Sequence, residues 1–256
     1  MTNKRTLFLL CIFVGHGGIA VADLLLNPAQ PITHQVTVQP IIVSNTDGSN
    51  TAEYFGTPTQ ETIIKGLVDD IWAQAGIDVV WLTPNAWDND FANIGSSGQA
   101  DRPTSDLSTI RTSGDIAGVG SPISTVIDMY FVEISPGFGN EDDNTANGLA
   151  FVGTPGISMH VGDNLPGFTS GQEVVASVAA HEIGHNLGLD HISVTNNLMT
   201  PGSSGELLDA VTQIPTVLQS SLLTPIPEPS IFLAFSIGFG LIAYRKKLSN
   251  RARSRV

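Results

Sequence analysis

His181-Glu182-Ile183-Gly184-His185-Asn186-Leu187-Gly188-Leu189-Asp190-His191 is the stretch from which this chain is best read. Two imidazoles four residues apart share one face of a helix, where both can reach a single ion. Zinc suits them, since it takes neutral imidazole nitrogen at about 2.0–2.1 Å in a tetrahedral arrangement, and a reactive site keeps three protein ligands and one position for water. Gly188 has no side chain and can take positive φ. It therefore ends the helix and turns the chain back, bringing His191 toward the same ion. Glu182, next to His181, can stand beside the ion without binding it and serve as general base on a metal-bound water. A single histidine reads as an ordinary core or surface residue, and a bare His-Glu-x-x-His can be coincidence. At this chain's own His, Glu and Gly frequencies, the full eleven-residue pattern arises by chance on the order of once in a hundred thousand such chains.

Upstream, Ser170 and Glu173 read as a capping-box pair opening the helix, with Val174, Val175, Val178 and Ala179 as its buried stripe. Gly148–Val152 and Gly156–His160 read as short strands around a Gly-Thr-Pro turn, and Val126–Ile134 as another strand. The Gly-, Ser-, Asp- and Pro-rich stretch from Thr83 to Pro122 shows no sustained period and reads as surface loops. Ile64, Leu67, Val68, Ile71, Trp72 and Ala75 mark one face of a helix ended by Gly76, and Ile77–Leu82 follows as a strand. Gln35–Val43 alternates around Pro40 and reads as an edge strand, because proline cannot donate to a central ladder. The loop 139–147, with Glu141, Asp142 and Asp143, reads as solvated. Ca2+ is a candidate guest there, although the spacing matches no EF-hand.

The two ends read as processing segments. Residues 1–22 run from Lys4 and Arg5 through apolar Leu7–Val14 to Ala20-Val21-Ala22, the order of a signal peptide cut by signal peptidase. About eight apolar residues are too few to cross roughly 30 Å of hydrocarbon. Cys11, the one cysteine, falls in this segment, so the mature chain would hold neither a disulfide nor a thiol. At the other end, residues 225–256 place Pro227-Glu228-Pro229, the apolar run Ile231–Tyr244 and a basic cluster in succession, with the basic end toward the cytoplasm. This arrangement resembles the PEP-CTERM sorting signal. The resemblance implies recognition by an exosortase, transient membrane attachment through the tail, and delivery to the cell envelope or extracellular matrix of a Gram-negative bacterium. Residues 23–224 form the remaining domain, in which 23 carboxylates face only Lys65, Arg102 and Arg111. So acidic a surface repels nucleic acid and anionic membranes and attracts divalent cations.

The eleven-residue stretch resembles the metzincin consensus, and Met199 in Asn197-Leu198-Met199-Thr200-Pro201 matches that family's Met-turn. The spacing from His191 to Met199 and the proline two residues beyond are most similar to matrixins. The resemblance implies an α+β fold with a mixed twisted sheet, a long active-site helix and a small irregular subdomain after Gly188. It implies Met199 as a floor beneath the metal. An extended polypeptide substrate would pair with the sheet edge near Gly148–Ala150 or Ile157–His160. Pro201 stands where astacins and serralysins carry a tyrosine ligand, so a fifth protein ligand is not expected. His34 and His160, outside the motif, read as ordinary strand or loop residues. The expectation is an exported zinc endopeptidase, and the alternative is a matrix or adhesive surface protein whose zinc site is only structural.

Overall fold

The computed structural model describes residues 24–94, 105–133, 147–162, 169–202 and 205–227. Its organising element is β1 (His34–Ser44), rich in β-branched residues that suit a pleated, two-sided core. Val36 and Val38 point to one apolar cluster and Ile41 and Val43 to another on the opposite side of the sheet. β1 is an interior strand, which corrects the edge-strand expectation. Along one flank it pairs in parallel first with β2 (Ile77–Trp81) and then with β3 (Asn85–Asp88). Along the other it pairs antiparallel with a two-residue strand at Thr224–Pro225 and then in parallel with β4 (Val126–Phe131). Pro40 is tolerated because pairing with β2 ends at Val38 and pairing with β3 begins at Ile41, so its missing N–H falls where the neighbour changes. The Gln39 amide fills that gap, donating to the carbonyls of Thr83 at 2.8 Å and Pro40 at 2.9 Å.

α1 (Pro58–Ala73) makes the crossover from β1 to β2 that parallel pairing requires. Thr57 and Gln60 cap it reciprocally, and Gly76, at φ +69°, turns the chain into β2. A side chain at Gly76 would also strike the Pro31 carbonyl. The stretch expected as loops between Thr83 and Pro122 instead contains β3, α2 (Asp90–Ile94) and α3 (Ser105–Ala117). Their signal is faint for a physical reason: α3 buries only Leu107, Ile110 and Gly114 of its described side chains, and Gly114 is small because the Tyr130 ring fills the space above it. These elements, with Trp87, Ala92 and Ile110, cover the second face of the sheet. β4 is therefore buried along its whole length and shows no polar alternation.

The sheet continues through β6 (Ile157–Met159), parallel to β4, to β5 (Gly148–Ala150), which is antiparallel to β6 and stands at the edge among the described residues. Of the two strands considered for the edge, β5 holds it and β6 is interior. α4 (Thr169–Asn186) packs beside α1 on the first face through Val175, Ala176, Ala179, Ala180 and Ile183. It is already helical at Thr169, so Ser170 lies within its first described turn. After α4 come an irregular segment, α5 (Gln213–Val217) and the closing strand β7 (Thr224–Pro225), beyond which the Ile226 N–H still donates to the Thr33 carbonyl. The molecule is an α+β fold with a mixed sheet. Among the described residues no helix is long and apolar enough to cross a membrane. The signal peptide, the acidic residues 141–143 and the sorting tail from residue 228 onward lie outside the described residues, whereas Pro225 and Ile226, at the start of that tail, bond to the sheet.

Candidate metal centre

The last two turns of α4 place His181 and His185 on one side, as four-residue spacing dictates. Gly188, at φ +100°, then stops the helix. The Leu189 N–H donates to the Gly184 carbonyl and the Gly188 N–H to the His185 carbonyl, the paired bonds of a Schellman ending. This reversal brings His191 back to the helix. Its Nε2 lies 3.1 Å from His181 Nε2 and 3.0 Å from His185 Nε2.

That separation fits a single small ion, since tetrahedral bonds of about 2.0–2.1 Å set ligand nitrogens about 3.3 Å apart. The opposite ring nitrogens identify the ligand atoms. His181 Nδ1 lies 2.6 Å from the Leu198 carbonyl and His185 Nδ1 2.7 Å from the Leu189 carbonyl. A carbonyl can only accept, so each Nδ1 carries the proton and each Nε2 presents its lone pair to the centre. Burial, the largest cause, pushes His181 down to about 4 despite the stabilising Leu198 carbonyl, with His185 and His191 adding in the same direction. His185 and His191 are also lowered, again chiefly by burial. Each shift favours the neutral ring, the form a metal binds. Among the described residues this is the one cluster of three or more His, Cys, Asp or Glu side chains placed to share an ion.

Glu182 is 6 % exposed, and burial alone pushes its carboxyl up to about 8. It lies under β5, where a β-carbon built on Gly148 would stand 2.5 Å from its Cγ and Oε1. Met199 is fully buried beneath the helix, and a β-carbon on Gly184 would come within 2.7 Å of its sulfur. Gly184 is therefore a contact position in which only hydrogen fits between helix and Met-turn. The turn itself is held by Asn197, whose Oδ1 accepts from the Met199 N–H and whose amide pairs reciprocally with Gln213 at 2.8 and 3.0 Å. His34 and His160 lie apart from the centre. His34 Nδ1 meets Thr33 Oγ1, and His160 Nδ1 meets the Val132 carbonyl.

Sequence reasoning reached the three imidazoles, Glu182, Gly188 and Met199 but not what supports them. The Leu198 and Leu189 carbonyls leave no side-chain signal. Gly184 could have been noticed, because a glycine inside a helix costs about 1 kcal/mol against alanine and calls for a packing reason. Gln213 lies too far along the chain to be linked with Asn197 by spacing.

Residues 106–211 match the family model of Matrixin, a peptidase family, a span running from α3 through the metal centre and Met-turn. No curated protein matches the chain. Among solved structures, the archaemetzincin of Methanopyrus kandleri is 17% identical with a TM-score of 0.44, covering 73% of this chain and 88% of that one. Metalloproteinase-II of Bacteroides fragilis is 15% identical with a TM-score of 0.48; 76% of this chain is covered, but only 55% of that chain. A third, archaemetzincin of Archaeoglobus fulgidus with malonate, is 18% identical with a TM-score of 0.37, covering 64% and 84%.

Proposed function

We propose that the chain is an exported zinc-dependent endopeptidase in which His181, His185 and His191 hold the ion and Glu182 is the general base. The observation that carries this reading is the convergence of three Nε2 atoms, two of them on rings whose Nδ1 proton is committed to a carbonyl, at the end of the helix that also carries the buried Glu182 carboxyl. When bound, zinc supplies a Lewis acid that polarises a peptide carbonyl and lowers the pKa of water. Glu182, next in sequence to the ligand His181, would be favoured in its ionised form by a bound cation, against the upward push of burial. The Glu182 carboxylate then takes a proton from water and returns it to the departing amine nitrogen. The edge of β5 offers main-chain groups to which an extended polypeptide adds as a further strand. Export by a signal peptide and sorting through the PEP-CTERM-like tail complete the reading and place the enzyme in the envelope or matrix, with exosortase and signal peptidase as processing partners.

A site serving only to stabilise an adhesive protein has no use for Glu182. The test therefore compares wild type with Glu182→Ala. The purified zinc-loaded protein is expected to cleave denatured casein, and the variant to bind one zinc per chain with cleavage lowered by at least about a hundredfold. An inactive wild type across a broad peptide library would leave the structural-zinc reading in its place.

A further inference from the structure

Asn186, immediately after the second metal-ligating histidine, is completely buried yet belongs to no part of the proposed chemistry. Its carboxamide faces the loop joining β5 to β6. Oδ1 accepts from the Gly156 N–H at 2.9 Å, while Nδ2 donates to the Gly156 carbonyl at 3.1 Å and to the Phe151 carbonyl at 2.8 Å. One side chain thus engages both main-chain groups of Gly156, as a neighbouring strand residue would. A fourth bond runs alongside, from the Gly153 N–H to the carbonyl of His185. Gly156 itself has φ +140°, and a side chain there would press on the Phe151 ring and on Arg111, so the loop has little freedom to meet the helix differently. All four bonds end on the last turn of α4, and the loop they hold is continuous with β5.

We propose that Asn186 is a positioning residue which fixes the gap between the metal-bearing helix and the edge strand β5, and so the height at which an extended polypeptide is presented to the centre. The inference rests on the peptidase reading for its substrate, but its structural half stands apart. An amide spanning two carbonyls and one N–H is a rigid spacer whose length is set by covalent geometry, whereas apolar contact alone would let the hairpin slide. Alanine leaves the two buried main-chain groups of Gly156 and the partly buried Phe151 carbonyl without this partner. The metal ligands are untouched, because the His185 ring is held by the Leu189 carbonyl on its other side.

The experiment uses the full chain, wild type and Asn186→Ala, with zinc content, amide hydrogen exchange and casein cleavage measured on the same preparations. One zinc per chain is expected in both. Exchange within residues 148–156 is expected to rise at least about tenfold in the variant, with KM up about tenfold and kcat within about threefold. Unchanged exchange and unchanged KM would overturn the proposal. Zinc lost in step with activity would overturn it too, since Asn186 would then act through His185. Should Asn186→Ala fail to fold, Asn186→Ser, which keeps a short polar group, is expected to move KM and exchange in the same direction by less. A wild type that cleaves nothing removes the peptidase reading alone, and the exchange measurement still judges the clamp.

Discussion

His181 serves two partners at once, presenting Nε2 to the centre while Nδ1 donates to the Leu198 carbonyl. Its lowered pKa has a consequence for stability. The unfolded ring titrates near 6.5 and the folded one near 4, so in metal-free protein the unfolded state binds the extra proton between these values. Stability is full above about 6.5 and falls as pH drops toward 4. His181 alone accounts for a loss on the order of 3 kcal/mol, which urea titration of the metal-free protein at stepped pH will show as a falling midpoint. At Gly148 the effect is steric. Gly148→Ala forces the Glu182 carboxyl away from its place, and a displacement of about 1 Å lowers kcat by about a hundredfold. Zinc content is expected to stay at one per chain, and finding kcat unchanged would show that Glu182 tolerates the move.

At the scale of elements, the ending of α4 and the strand β4 make separable demands. Gly188→Ala puts a β-carbon at φ +100°, straining the Schellman turn by about 1–2 kcal/mol and loosening the return of His191. A drop in zinc affinity of at least tenfold in competition with a chelator is expected, with most of the thermal stability retained. On β4, Asp128 is buried and desolvation raises it to about 6, against a stabilising bond from the Ser121 N–H and a raising influence from Asp115. A carboxyl raised on folding contributes stability below about pH 4 that is lost as pH climbs through 6. Asp128→Asn keeps an acceptor for Ser121 without the buried charge. It is expected to raise stability at pH 7 by about 1–2 kcal/mol and to change little at pH 4, as read from denaturant midpoints.

For the whole molecule, chelation is the broadest test. If zinc at one hundred times its dissociation constant binds only the folded state, removing it costs about 2.7 kcal/mol and lowers the melting temperature by several degrees. How much of this architecture could be read beforehand follows from where the physics acts. The α1 face, the α4 motif and the hairpin were legible because local spacing carries them. α3 was not, because its buried surface, among the described residues, is two apolar side chains and a glycine set against Tyr130, an arrangement meaningful only once the sheet exists. Pro40 misled because edge and interior depend on where one neighbouring strand gives way to the next. The metal ligands were plain in the sequence, while the carbonyls and amides that aim them were set by tertiary folding.

β1 begins about ten residues into the described chain, yet the last strand to seal its flank is Thr224–Pro225, followed by the Ile226 bond to Thr33. A ribosome must therefore release nearly the entire domain before this seam can close, and the earliest strand waits for the latest. Trimming from the far end has a floor as well. A cut beyond Ile226 spares the seam, whereas one at Leu223 leaves His34 and Gln35 paired only with β2 and reopens the other side of that ladder to whatever polypeptide passes.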